Sequence, residues 1–280
     1  MNGFDFVSAQ DLQDALTILG KEKEHACLVA GATNVMNKMH IGKIQNKVLV
    51  SIDLLDELRG IAYQDGYVTI GAMTCMADVA RSEVIKQHAR VLYEAAQVFA
   101  DPITRNRATI GGNICDASPA ADTAPALLVL NAEVELASVR GKRTLPISEF
   151  FLGVGRTATE PDEIVTAVRF ADAPTGAFTK IGLRNSLAIS VVSVAAIAKL
   201  DGEGKFADVR IALGSVAPRP VRAPHAEQAL LGKSPGDQAY VAAKNAVLED
   251  ISPIDDVRAT AVYRRGVSGV MVERTVAAAL

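Results

Sequence analysis

The chain has 280 residues, 49% of them hydrophobic and 22% charged, which is enough apolar material to bury a core and excludes a disordered segment or a stapled mini-protein. Its 29 basic and 32 acidic residues leave a net charge of −3, so it lacks the basic footprint of a nucleic-acid binder, and any polyphosphate ligand must be met by local backbone dipoles. The three cysteines, Cys27, Cys75 and Cys115, make no CxxC pair, which argues against a disulfide framework, a four-thiolate zinc site and an all-cysteine iron–sulfur cluster.

In chain order, the N-terminus carries Asp5, Asp11 and Asp14 where an export signal needs basic residues and an apolar run. Ser8 and Asp11 have capping-box spacing, and Leu12, Ala15, Leu16 and Leu19 fall on one helical face, which predicts a helix from Ser8. Cys27–Ala30 reads as a buried strand, residues up to Met39 as a helix and Val48–Ile52 as a second strand, a β–α–β unit of about 25 residues. Tyr67–Gly71 predicts a strand, and Cys75–Gln97 holds one or two helical patterns broken near Ser82. The stretch Asp101–Pro119, with two prolines and a Gly-Gly pair, predicts ordered turns rather than a regular element. Asp122 is a candidate N-cap for a short buried helix, Pro125–Leu130, and strands are expected at Ala132–Ser138 and Glu163–Phe170.

Around Ala171–Gly176 a polar, turn-forming segment marks a boundary. Beyond it, Phe178–Leu183, Val191–Leu200 and Val209–Ser215 predict an antiparallel meander, and helical patterns run from Pro224 to a final helix over Ala259–Leu280. The most apolar of these stretches, Ala188–Ala198, is far short of the roughly 20 residues that span a bilayer. A soluble, cytoplasmic protein with no membrane span is expected. There is no internal repeat.

Two glycine-bearing loops carry the chemistry. In Ala30-Gly31-Ala32-Thr33-Asn34, between strand and helix, unpaired N–H groups and a helix dipole offer an anion site; the alternative is a tight turn at Gly31 with Thr33 or Asn34 as cap. In Thr109-Ile110-Gly111-Gly112-Asn113, adjacent glycines between hydrogen-bonding side chains expose backbone N–H groups to a ligand, with Asp116, Ser118 and Asp122 nearby. The alternative there is a self-stabilised Ω-loop. Neither the dinucleotide fingerprint nor P-loop spacing is present.

The segments Val29–Asn34 and Arg105–Asn113, followed by Ser118-Pro119-Ala120-Ala121-Asp122, resemble the two flavin-binding signatures of the FAD subunits of molybdenum hydroxylases, above all the bacterial xanthine dehydrogenase type and the carbon monoxide dehydrogenase medium subunits. The likeness runs the length of the chain, through Leu58-Arg59-Gly60-Ile61, Ile70-Gly71-Ala72, Gly182-Leu183-Arg184 and His225-Ala226-Glu227-Gln228-Ala229. It implies an α+β protein: a two-lobed FAD-binding domain of the PCMH (vanillyl-alcohol oxidase-like) type over 1–175, with lobes at about 1–57 and 58–175. A C-terminal α/β domain like that of carbon monoxide dehydrogenase flavoproteins, a small antiparallel sheet with helices, then covers 176–280.

By the same resemblance, Val29, Ala30, Gly31, Ala32, Thr33 and Asn34 with Thr109, Ile110, Gly111, Gly112 and Asn113 hold the FAD pyrophosphate and ribityl chain. Phe99 lies beside the cofactor; Asp116, Ser118, Asp122, Ile164 or Val165, and Lys180 complete the contacts. The resemblance also places a molybdenum cofactor in a large partner subunit and [2Fe–2S] clusters in a small one, with electrons passing through FAD to NAD⁺. No catalytic acid or base and no metal ligand is then needed from this chain. His25, His40, His88 and His225 are read as surface or packing residues, Tyr263-Arg264-Arg265 as a solvated or interface face, and Cys115 as a small buried apolar residue.

Two departures stand out. The family pattern has a second glycine and then aspartate or histidine where this chain has Ala32 and Asn34. Because alanine resists positive φ, either Ala32 is not left-handed or the loop is displaced. Ala188 replaces a family aspartate. The rival functions are a self-contained FAD oxidoreductase of the same fold, which needs a proton donor near the flavin, and a non-catalytic scaffold subunit with a degenerate pocket.

Overall fold

The computed structural model describes residues 3–45, 47–184 and 187–280. The N-terminal lobe runs β1 (Asp5–Ser8), α1 (Leu12–Glu22), β2 (Ala26–Val29), α2 (Val35–His40) and β3 (Val48–Ser51), with β3 pairing in parallel with both neighbours in the order β1-β3-β2. The expected β–α–β unit is therefore present, joined by an unforeseen first strand. Ser8 belongs to that strand, paired with Ser51, so it cannot cap the helix. The cap is Asp11, whose Oδ1 accepts from the Asp14 N–H at 2.8 Å, while Asp14 Oδ2 accepts from the Gln10 N–H at 3.0 Å. Ala15, Leu16 and Leu19 then face inward as the periodicity requires, packing with Val50, Ile52 and Leu55.

The second lobe begins with β4 (Ile61–Gln64) and β5 (Tyr67–Gly71). A helical stretch follows: α3 (Met76–Arg81), α4 (Glu83–His88), α5 (Arg90–Gln97), α6 (Pro102–Arg105), α7 (Ile110–Cys115) and α8 (Thr123–Val129). It closes with β6 (Glu133–Ser138), β7 (Gly141–Pro146), α9 (Ile147–Phe150), a small hairpin of β8 (Phe151–Gly153) and β9 (Arg156–Thr157), and β10 (Ile164–Ala171). The sheet is antiparallel in the order β4-β5-β10-β6-β7. Ser82 breaks the first helical pattern by capping α4 through its bond from the Ile85 N–H at 3.2 Å.

The stretch expected to be turns holds two short helices. In α6 proline occupies the first turn, where its missing N–H costs nothing, and Asp101 caps the Thr104 N–H at 2.8 Å. In α7 Thr109 caps the Gly112 N–H at 3.0 Å. Asp122 precedes α8 but makes no side-chain cap; its carboxylate is committed elsewhere.

The C-terminal part is a meander of β11 (Ala177–Gly182), β12 (Ser190–Leu200), β13 (Phe206–Gly214) and β14 (Val221–Arg222), followed by α10 (Pro224–Leu230), α11 (Asp237–Asp250) and α12 (Ala261–Ala278). Its sheet is covered on both faces, which is why β12 reads as a continuous apolar run. Phe178, Ala195, Ile197 and Ala212 join the core of the second lobe, whereas Val194, Ala196, Ile211 and Leu213 pack with the three helices.

Arg264, expected on a solvated or interface face, is 2% exposed. Its Nη1 donates to the Val191 and Ser215 carbonyls, both at 2.8 Å, and its Nη2 to Asp256 Oδ1 at 2.7 Å, tying α12 to the sheet. At Asp256 burial opposes ionisation, but the bonds from Arg258 and the charges of Arg258 and Arg264 outweigh it and hold the carboxyl far below the usual carboxylate range. Among the described residues no helix is long and apolar enough to cross a membrane.

Candidate cofactor-binding site

A cleft of about 790 Å³ opens where the β2–α2 loop of the first lobe, the α5–α6 turn and α7 of the second, and the β11–β12 tip converge. Of the residues expected at the site, Ala30, Gly31, Ala32, Thr33, Asn34, Phe99, Thr109, Gly111, Gly112, Asn113, Asp116, Ser118, Asp122 and Val165 line it. Four do not. Val29 and Ile110 are buried behind their loops, Ile164 packs in the core beneath the first lobe, and Lys180 reaches the cleft only through Asp122.

Lys38, Lys43 and Ile44 from beyond the first loop, and Arg184, Leu187 and Ile189 from the tip, line the cleft without having been foreseen, together with Ala188, which the sequence marks only as a departure from the family pattern. For Lys38 a signal existed, since it sits four residues after Asn34 and therefore on the same helical face. Of the non-glycine residues with positive φ, Ala32, Ala100 and Leu187 lie on the cleft wall, where backbone strain tends to gather at ligand sites.

The first loop supplies unpaired donors. Among the described residues no acceptor meets the N–H groups of Ala32, Thr33 or Asn34. Ala32 has φ of 63° and Asn34 is right-handed, so the backbone changes hand within this row of unpaired donors. Ala32 is thus left-handed after all. The need for glycine at Gly31 is steric: a Cβ there would stand 1.7 Å from the Arg107 carbonyl oxygen, so only a bare backbone lets the two loops touch.

The second loop works differently from expectation, because its N–H groups are taken. Ile110 donates to the Thr74 carbonyl at 3.1 Å, Gly111 to the Ala72 carbonyl at 2.9 Å, and Gly112 to Thr109 Oγ1. Gly111 is pressed on Ala72, where a Cβ would meet Ala72 Cβ at 2.7 Å. Gly112 is the open one: a Cβ there would meet only Thr109 Oγ1 at 2.9 Å and Ala30 Cβ at 4.0 Å, so its missing side chain leaves room in the cleft. Asn113 Oδ1 accepts from Thr123 Oγ1 at 2.5 Å, which leaves its Nδ2 as the donor on the cleft side.

At the floor, Lys180 Nζ donates to Asp122 Oδ2 at 2.5 Å and to the Val98 carbonyl at 3.3 Å. Asp122 Oδ1 is buried with no partner among the described residues. Burial pushes its carboxyl up to about 6, with the charge and hydrogen bond of Lys180 pulling the other way. Asp116 is fully engaged, accepting from Asn34 Nδ2 at 2.7 Å and Lys38 Nζ at 2.6 Å.

Cys115, expected to be buried, opens onto the cleft; crowding by protein and then the charge of Asp116 push its thiol upward. His88 stacks on Tyr63 at 3.7 Å and bonds Asp172, and His225 bonds Asp250 at 2.7 Å, both away from the cleft.

These features fit a flavin dinucleotide. The cleft has the volume of a large-ligand site, an unpaired N–H row suits a pyrophosphate, and Asp122 Oδ1 and Asn113 Nδ2 wait for polar partners. The FAD binding domain in molybdopterin dehydrogenase matches residues 2–171, and the CO dehydrogenase flavoprotein C-terminal domain matches residues 177–279.

The chain is 35% identical over 285 residues to the xanthine dehydrogenase FAD-binding subunit of Escherichia coli O157:H7, covering 99% of this chain and 97% of that one. It is 32% identical over 279 residues to the carbon monoxide dehydrogenase medium chain of Hydrogenophaga pseudoflava, covering 99% and 96%. Its fold superimposes with a TM-score of 0.95 on a chain of the carbon monoxide dehydrogenase from Hydrogenophaga pseudoflava that lacks the Mo-pyranopterin moiety, at 33% identity and covering 99% and 97%.

Proposed function

The chain belongs to the FAD-binding subunits of the molybdenum hydroxylase family, and on that premise we propose that it passes electrons from the [2Fe–2S] clusters of a small partner subunit through FAD to NAD⁺, with the molybdenum cofactor in a large partner subunit. FAD supplies the redox chemistry, accepting electrons singly and releasing them in pairs.

The observation that carries this reading is the pairing of unlike features on two loops: unpaired N–H groups from Ala32 to Asn34 and a bare Gly112 surface, facing a cleft that also holds Phe99 and Val165. The first loop would meet the pyrophosphate, and Gly112 would let it approach. Asn113 would donate from its Nδ2, and Phe99 and Val165 would exclude water from the flavin. Asp122, held by Lys180, would accept from the cofactor through Oδ1.

The chain purified alone is expected to be yellow or to take up added FAD, and to copurify from its native source with one large and one small iron–sulfur subunit. The reduced complex is expected to form NADH from NAD⁺. A colourless chain that takes up no FAD would sink the proposal, and a monomer that turns over an organic substrate unaided would replace it with a self-contained oxidoreductase.

A further inference from the structure

Ala32 is left-handed, which costs an L-residue free energy that glycine would not pay, and such a conformation persists only where its surroundings over-determine it. Both flanks of Ala32 are tethered to the second loop. On one side Gly31 lies against the Arg107 carbonyl so closely that no side chain fits between. On the other, Asn34 Nδ2 and Lys38 Nζ converge on the two oxygens of Asp116, the residue that ends α7, at 2.7 and 2.6 Å. The Asp116 side chain is 15% exposed and Lys38 43% exposed, so the pair is partly shielded from water.

We propose that Asn34, Lys38 and Asp116 form a polar latch that holds the first loop in its donor-presenting conformation, and that Asp116 and Asn34 are positioning residues for the cofactor. The inference rests on the flavin reading of the cleft. An uncompensated Asp116 carboxylate on the wall that receives a pyrophosphate would repel it; Lys38 neutralises the charge and Asn34 uses the remaining oxygen. The latch also accounts for the amide at position 34. A carboxylate there would place two negative groups at hydrogen-bond distance, so in this chain residue 34 is fixed by residue 116.

Exchanging the two residues is the test, because it leaves net charge unchanged. In Asn34→Asp the carboxylates face each other and the latch opens. In Asn34→Asp with Asp116→Asn the amide at 116 offers its N–H to the carboxylate at 34 and its oxygen to Lys38, so the latch closes with reversed polarity. The full chain is stripped of flavin and titrated with FAD, and amide hydrogen exchange over residues 31–38 is followed without FAD.

Asn34→Asp is expected to weaken FAD binding by about tenfold or more and to speed exchange in that segment. The double variant is expected to return both to within about threefold of the parent. If Asn34→Asp matches the parent in both measurements, or the double variant is no better than the single, the latch is refuted. A parent chain that takes up no FAD would overturn the flavin reading instead, and the exchange measurement would still decide the latch.

Discussion

Replacing Ala32 by glycine tests the backbone geometry on which the site depends. A left-handed L-residue costs roughly 1–2 kcal/mol relative to its right-handed form, and glycine removes that penalty. Glycine also adds unfolded-state entropy worth about 0.5–1 kcal/mol, so the net expectation is a gain of about 0.5–1 kcal/mol. Ala32 lines the cleft and is only half-buried, so its methyl group contributes little packing to offset this. For a chain of this size the gain raises the melting temperature by roughly 1–3 °C. The converse substitution, Ala32→Val, places a β-branched residue in a conformation it rarely adopts and is expected to cost about 1 kcal/mol or more. Urea and thermal denaturation of the FAD-free chain measure both. If Ala32→Gly destabilises while Ala32→Val is neutral, the residue is not left-handed.

Gly112→Val is expected to abolish FAD retention while the circular dichroism spectrum stays that of the parent, because a Cβ at that position meets only Thr109 Oγ1 and Ala30 Cβ within 4 Å and Gly112 lines the cleft; full flavin occupancy would overturn the role given to that glycine. Asp122 has its carboxyl raised to about 6 by burial, which outweighs the opposing pull of Lys180, above its unfolded value of about 3.9. Its stabilising contribution is therefore complete below about pH 4 and is lost as pH rises to about 6. Subtracting the stability curve of Asp122→Asn from that of the FAD-free parent is expected to give a falling slope confined to that window; a flat difference would show that Asp122 is ionised as in solution. Arg264→Ala removes donors from two carbonyls and a partner from Asp256, and is expected to cost about 3 kcal/mol by urea denaturation, whereas a loss under about 1 kcal/mol would mean that the guanidinium is not anchored.

Much of the fold is written in local pattern. The strand at Tyr67–Gly71 and the meander after the boundary follow from apolar runs between turn residues, and Leu16 and Leu19 mark the buried face of α1 without help from distant contacts. The misses have physical causes. β1 and β7 are short and largely exposed, with side chains such as Lys142 and Arg143 that give no apolar alternation. The helices α6 and α7 are too short for periodicity to reveal, although Asp101 before Pro102 and Thr109 three residues before Gly112 were start signals in their own right. At the site, the sequence singles out the two loops that line the cleft, but not the division of labour between them. Gly31 and Gly111 serve the contact of backbone with backbone, which depends on Arg107 and Ala72 arriving from elsewhere. The same holds for Arg264, whose partners Val191, Ser215 and Asp256 come from three separate segments.

The way the hydrophobic residues divide sets the order in which the molecule comes apart. The C-terminal sheet places Phe178, Ala195, Ile197 and Ala212 in the core of the second lobe, so these two regions cannot separate without exposing a shared interior, and they unfold together. The first lobe rests on the smallest cluster, anchored across to Met73, Ala137 and Ile164, and is expected to open first. On the proposed reading of the cleft, a cofactor held between that lobe and the body would bind only while the lobe is docked, and its affinity would add to the stability of that lobe. Loss of the flavin and opening of the N-terminal lobe would then be one event, with the flavin's visible absorbance as its built-in reporter.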